Sequence, residues 1–330
     1  MNYIMLFAGI AIILIAVVDI LWTTLWVDGG AGPVSSRLTD WIWKLGLIVG
    51  RRRHRLLSVF GPITLVLTVA VWVALLWLGW VILFEAQETS ILRSQNQAPV
   101  DMIGIIYFVG YALFTMGNGD FSPNGEGWEI ATALTNASGM LLITLTVTYL
   151  LSVISAVVHK RSVALQVTGI GRTPDAFLRN SWSGQDFRNL DLVFQSLSAD
   201  VSRLCEQFRA YPILQYYHAE TRTKSSAIGI ALVDEAVTIL TCGVPEDTRP
   251  NRALLLSLRS SLDMYLESID QDFGGHSAET PPAPDLRQLQ KAGIPTLGET
   301  SFGSALEDQR SRRRQLLTMV REDGWEWFET

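Results

Sequence analysis

Long apolar runs crowd the first half of the chain and are almost absent from the second. Residues 3–22 are apolar apart from Asp19 and a few small side chains, and at about 1.5 Å per residue such a helix spans a hydrocarbon core. This segment has no basic leader and no small-x-small site before Trp22, so it reads as an uncleaved anchor rather than a signal peptide. Pro62 opens a second run over residues 63–84, where a missing backbone donor does no harm at a helix start. The third begins near Trp128 and ends at His159-Lys160-Arg161. Between them lie residues 103–114, which at about 18 Å are too short to cross.

Beyond Lys160 the apolar positions recur at helical spacing on a polar background. Leu190, Val193, Phe194, Leu197, Val201, Leu204 and Phe208 form one such stripe, and residues 227–240 and 253–269 read as further helices. Residues 272–285 read as a flexible linker, and residues 306–328 as one charged helix carrying Arg312-Arg313-Arg314. The pattern predicts an all-α membrane protein with three transmembrane helices, a re-entrant helix between the second and third, and a helical cytoplasmic domain. Three regions follow: 1–61, a span with an interfacial basic segment; 62–161, two spans around the short helix; and 162–330, the helical tail.

Charge sets the orientation. The loading of Lys and Arg puts residues 23–61 and everything after 159 in the cytoplasm, with the N terminus and the Thr115 region outside a plasma (inner) membrane. Trp41 and Trp43 beside Arg51-Arg52-Arg53-His54-Arg55 suit a helix at headgroup level. Those arginines, Arg51, Arg52, Arg53 and Arg55, serve either as a topology signal or as a site for anionic lipid.

Composition removes other classes. The net charge is -6, and the tail holds 23 acidic against 17 basic residues, which argues against nucleic acid as a partner. Cys205 and Cys242 form no C-x-x-C pair and the four histidines are scattered, so no metal-ligand set and no catalytic triad assembles from spacing. No enzyme activity and no cofactor are expected. Gly169-Ile170-Gly171 lacks a third glycine and a preceding strand, and reads as a turn rather than a nucleotide loop.

What remains is the string Thr115 to Asp120, T-M-G-N-G-D, at the end of the short apolar run. Asp101 stands where an N-cap would start a helix over 102–114. Re-entry would aim the partial negative charge of that helix's C-terminal end at the membrane centre, where it favours a cation. Gly117 and Gly119 can take left-handed dihedrals without a Cβ penalty. Thr115, Met116, Gly117, Asn118 and Gly119 can then present a ladder of carbonyl oxygens that replaces a cation's hydration shell, with Asp120 flanking it. One chain supplies one ladder, so a closed ring demands a homotetramer.

Residues 106–120 and the helix after them resemble the pore module of the potassium channel superfamily, whose filter reads T-V-G-Y-G-D or T-I-G-F-G-D. Tyr107-Phe108 is similar to the paired aromatics of that family's pore helix, and Pro123 follows the Asp as in many members. Gly139, nineteen residues past Asp120, falls where the family often has an inner-helix hinge glycine. The likeness covers about residues 62–161. It implies passive conduction of K+ through filter carbonyls. Asn118 replaces the aromatic that braces the family's filter, and Met116 replaces Val or Ile, so a weakly selective cation channel is the alternative. A membrane-anchored sensor or scaffold with a Gly-rich external turn is the reading from another class.

The third span carries two polar rows. Thr132, Thr135, Asn136, Gly139 and Thr146 share an arc of about 100°, with Ile143 and Val147 in or beside it. Thr144, Thr148, Ser152 and Ser155 lie on a different face. The first row is the expected cavity lining, with Asn136, Gly139, Ile143 and Thr146 as cavity or gate residues. The second would bond a neighbouring helix. Ile143 and Val147 either pack between helices or form a constriction that closes by dewetting.

Overall fold

The computed structural model describes residues 1–27, 30–50, 54–117, 119–270 and 279–328, the side chains of 43–50, 54–57 and 270 excepted. Asn118 and Arg51, Arg52 and Arg53 lie outside the described residues, as does the side chain of Arg55. Among the described residues, three helices are long and apolar enough to cross a membrane: α1 (Tyr3–Leu25), α3 (His54–Glu85) and α5 (Glu126–Thr168). The chain forms two compact units, Met1–Trp43 with Pro62–Val153, and Lys44–Gly61 with Ile154–Thr330. In this division α1 packs into the first unit and the last turns of α5 belong to the second.

In the first unit α1 and α3 run antiparallel. The Asn2 amide donates to the Ala86 carbonyl at 2.6 Å, while the Asn2 side chain caps α1 by accepting from Ile4 and Met5. A Cβ on Gly9 would stand 2.9 Å from the Gly79 carbonyl oxygen, and one on Gly79 would stand 2.8 Å from Ile13. Close backbone approach through small residues is how helices hold together in lipid, where apolar burial gives no preference for a neighbouring helix. Helix α2 (Pro33–Gly50) starts against α1: the Asp19 carboxylate accepts from the Val34 and Ser35 amides, and Thr23 Oγ1 accepts from Gly32.

Pro62 does not open the second span. Helix α3 begins at His54 and carries Pro62 in its interior. Its first turns belong to the second unit, where Gly61 meets the Tyr217 ring and Ser58 donates to Glu220.

Between α3 and α5 come β1 (Ile91–Arg93), α4 (Met102–Leu113) and β2 (Phe121–Pro123). The strands pair antiparallel with Ile91 opposite Pro123, Leu92 opposite Ser122 and Arg93 opposite Phe121. This small clip was not expected from the sequence, since three residues are too few for an alternating pattern to register.

The second unit is built on α8 (Ser226–Cys242), buried from Ser226 to Leu240. Such a helix, apolar nearly all round, reads as the core of a bundle. Helices α6 (Pro174–Ser181), α9 (Arg252–Asp270), α11 (Glu299–Asp308) and α12 (Arg310–Glu322) pack on it, and α7 (Leu190–Ala210) pairs with α9. That pair is joined by serines: Ser198 bonds Ser257 at 2.7 Å, and Ser202 bonds Ser261 at 2.9 Å. The short α10 (Arg287–Lys291) follows residues 279–285.

The charged helix expected over 306–328 is two helices that end at Glu322. Gly324, at φ 77°, closes α12 with Gly324 N–H on Arg321 and Trp325 N–H on Val320, a left-handed C-cap that the sequence reading passed over. The described part of the expected linker touches α12. Arg313 donates to the Pro281 and Pro282 carbonyls, Arg314 to Thr280, and Arg321 to Glu279, so residues 279–282 are docked on α12.

Candidate functional site

The site grows from α4. Asp101 occupies the N-cap position, yet its side chain makes no capping bond and stands 3.6 Å from the Arg93 guanidinium instead. Gly104, Ile105, Phe108, Val109, Ala112 and Leu113 face inward, whereas Ile103, Ile106 and Tyr107 are exposed on the single chain. From α3, Trp77 lies across Gly110, where a Cβ would be 2.7 Å from the indole, and its Nε1 donates to the Ile106 carbonyl at 3.0 Å. Phe84 meets Phe108 edge-on at 5.6 Å and Trp128 at 5.4 Å. The aromatic pair therefore splits: Phe108 is core, and Tyr107 turns toward Tyr111 and Phe121.

The end of α4 is defined by backbone chemistry. Thr115 N–H donates to Ala112 and Met116 N–H to Tyr111, the two bonds of a Schellman closure with Thr115 in the position usually held by glycine. Thr115 has φ 54°, a conformation costing a β-branched residue roughly 1–2 kcal/mol. Gly117 follows at φ 68° with open space around it. Met116 is exposed, as are Gly119 and Asp120. The strand clip anchors the far side, with Ser94 N–H on the Asp120 carbonyl and Asn124 N–H on Ser90.

Helix α5 presses on this end of α4. Gly139 is buried, and a Cβ placed there would lie 1.7 Å from the Leu113 carbonyl oxygen. Only a hydrogen fits. Helix α5 runs unbroken through Gly139, whose role in this conformation is close packing. Thr135 is also fully buried, and Trp80 reaches across to Ser138 at 3.0 Å.

The expected lining row is thus divided. Thr135 and Gly139 face into the subunit, while Ile143 and Val147 are 43% and 54% exposed. Asn136 and Thr146 are half-buried, and Asn136 Oδ1 and Thr146 Oγ1 have no hydrogen-bond partner among the described residues. In the second row Thr144 and Thr148 are exposed but donate to Met140 and Thr144 carbonyls one turn back. Sequence reasoning gave Asp19 no role as a support. For Asp19 the signal was available, as a carboxylate in an apolar span asks for buried partners.

Electrostatics concentrate in the second unit. Asp234 on α8 receives Arg259 at 3.0 Å and Arg312, and Glu235 receives Arg313 Nε at 2.6 Å. Burial pushes the Glu235 carboxyl above its ordinary range, against the pull of Arg313. At the end of α12, burial also works to raise Asp323, but hydrogen bonds from His218 and Ser225 and the charge of Lys160 outweigh it and hold the carboxyl below its usual value.

Residues 70–156, from within α3 to within α5, match the family model described as "Ion channel". The match encloses α4 and the whole T-M-G-N-G-D string. The chain belongs to this family of ion channels. Its pore module is of the two-helix potassium-channel type. Over 327 residues it is 37% identical to the uncharacterized membrane protein YdjJ of Bacillus subtilis (strain 168), covering 99% of this chain and 96% of that one. The kinship therefore includes α1 and the helical tail as well as the pore module. No solved structure matches.

Proposed function

We propose that this protein is a homotetrameric potassium channel of the plasma membrane, with the carbonyls of Thr115, Met116, Gly117, Asn118 and Gly119 as its filter. The observation that carries this reading is the T-M-G-N-G-D string leaving the C-terminal end of a short helix wedged between two membrane-length helices, with Gly117 already left-handed. Four copies around an axis would give each dehydrated ion a ring of oxygens, and transport would be passive. The exposed apolar face of α4, with Ile103, Ile106 and Tyr107, supports assembly, since a single chain leaves much of it uncovered.

Below the filter, Ile143 and Val147 line the cavity and form a constriction. They are the members of the expected row that the subunit leaves exposed; Thr144 and Thr148 satisfy their hydroxyls on their own helix and suit an apolar surrounding. Gly139, Asn136 and Thr146 stand behind this lining. The basic residues place the N terminus outside and the helical tail in the cytoplasm, where it serves assembly or gating. Arg51, Arg52, Arg53 and Arg55 would then lie at the inner leaflet within reach of anionic lipid.

Asn118 favours a second reading, a weakly selective cation channel, because the residue type lacks the ring that braces related filters. Reconstitution into liposomes decides both. Potassium flux blocked by barium is expected, and a sealed membrane with correctly assembled protein would overturn the channel. Reversal potentials under potassium and sodium gradients then separate the readings: a permeability ratio near one leaves a channel without potassium selectivity.

A further inference from the structure

Asp19 is fully buried in an otherwise apolar span. Taking a carboxylate out of water is costly, and an ionisable residue at such a place points to function unless its partners are trivial. Its partners come from two other helices. Oδ1 accepts from the Val34 amide at 2.7 Å and the Ser35 amide at 3.2 Å, both at the start of α2. Oδ2 accepts from Ser35 Oγ at 2.5 Å and from Trp72 Nε1 of α3 at 2.8 Å. A helix start needs no more than a local Ser, Thr or Asn as its cap. Here the cap is brought from α1 and also grips an indole.

Trp72 carries the contact onward. Its ring is wholly buried and lies 5.8 Å from Tyr149 of α5, tilted by 56°. Tyr149 is 5% exposed, whereas Val147, two residues earlier, is 54% exposed. At about 100° per residue these two side chains point to nearly opposite sides of α5. Turning Val147 about the helix axis therefore requires Tyr149 to slide over Trp72, whose indole is held by Asp19.

We propose that Asp19 is a positioning residue of the gate: by fixing Trp72 against Tyr149 it sets the rotation of the inner helix at the height of Val147. This rests on the channel reading above. Asp19 touches no permeating ion and acts through Trp72. It also ties the start of α2 to the same indole, and Ser35 Oγ accepts from Trp72 Nε1 at 3.1 Å as well, so a displacement of α2 reaches the inner helix through the carboxylate and this hydroxyl together.

The test uses full-length protein in liposomes. D19N turns donor N–H groups toward donors, and W72F keeps a ring but removes the indole N–H. Each is expected to change the barium-sensitive potassium flux in the same direction by roughly fivefold or more, the low end of coupling between linked sites. The D19N/W72F double variant should change it no more than either single variant, and reversal potentials and oligomeric size should stay as in wild type. Unchanged flux in both single variants overturns the proposal, as do effects that add in the double variant or a shifted reversal potential. Should D19N fail to assemble, S35A removes one of the four donors and takes its place under the same criteria. Wild-type protein that passes no potassium removes the channel reading itself, whereas conducting wild type with indifferent variants removes only the role of Asp19.

Discussion

The Leu113 carbonyl at the end of the short helix sits where the first side-chain atom of Gly139 would stand, 1.7 Å from an ideal Cβ. Gly139→Ala must therefore push α4 and α5 apart at the level where the T-M-G-N-G-D string begins. Overpacking of this kind costs about 1–3 kcal/mol. The expected result is a lowered melting temperature together with a large loss of potassium flux. Wild-type values for both would show that the contact yields without consequence.

Gly117 has a positive φ and open space around it, so an added methyl meets no atom and acts only through the backbone. Gly117→Ala is expected to abolish conduction by this route, and Gly119→Ala, where φ is not positive, by adding a methyl beside the proposed ring of carbonyls, while the oligomer still forms, read by liposome flux and by size-exclusion chromatography. Normal flux from either variant sinks the filter assignment.

Arg313 is 2% exposed and is divided between Glu235 and the carbonyls of Pro281 and Pro282. Arg313→Met leaves the Glu235 carboxylate buried without its partner, a change that costs about 3–5 kcal/mol. Thermal unfolding of the tail should show that loss. The pair E235L/R313M should recover much of it, because removing both charges leaves neither to be solvated; a double variant as unstable as the single would contradict this.

Asp323 sets an acid limit. Its folded pKa lies below the ordinary 3.8, so the stability it contributes is fully present above that value and is lost as pH falls through it toward the folded value. Glu235 acts with the opposite sign: its pKa is raised above 4.5, so its contribution weakens as pH rises from there. Denaturant titrations across this acid range should show wild type losing stability below pH 3.8, and D323N, weaker at neutral pH, losing less there. Equal acid slopes in the two proteins would remove Asp323 as the cause.

Much of the architecture could be read from the chain because each signal is local. Three apolar runs of membrane length, a shorter one between two of them, and stripes at helical spacing in the tail all depend on neighbours within a few turns, and the helices appear where those patterns lie. The glycine string was legible for the same reason, since backbone freedom at Gly117 belongs to the residue itself. Gly324 is local in the same sense, a glycine in the left-handed position that closes the last helix after Glu322.

Relations between distant residues could not be read that way. Two polar rows on the third span look alike in one dimension, and only the approach of Leu113 to Gly139 turned the first of them partly inward. The run Arg312-Arg313-Arg314 names no partner by itself, and only the fold brings Asp234 and Glu235, on a helix with no other acid, within reach of Arg312 and Arg313. Asp19 interrupts an apolar span, and its four donors come from two other helices that only the fold brings to it. Periodicity records how much of a helix is apolar, whereas the partner of each polar group is chosen by packing between segments tens of residues apart. The sequence by itself determined the spans, the short helix and the oxygen-bearing string; the tertiary structure decided which faces meet and which charges are paired.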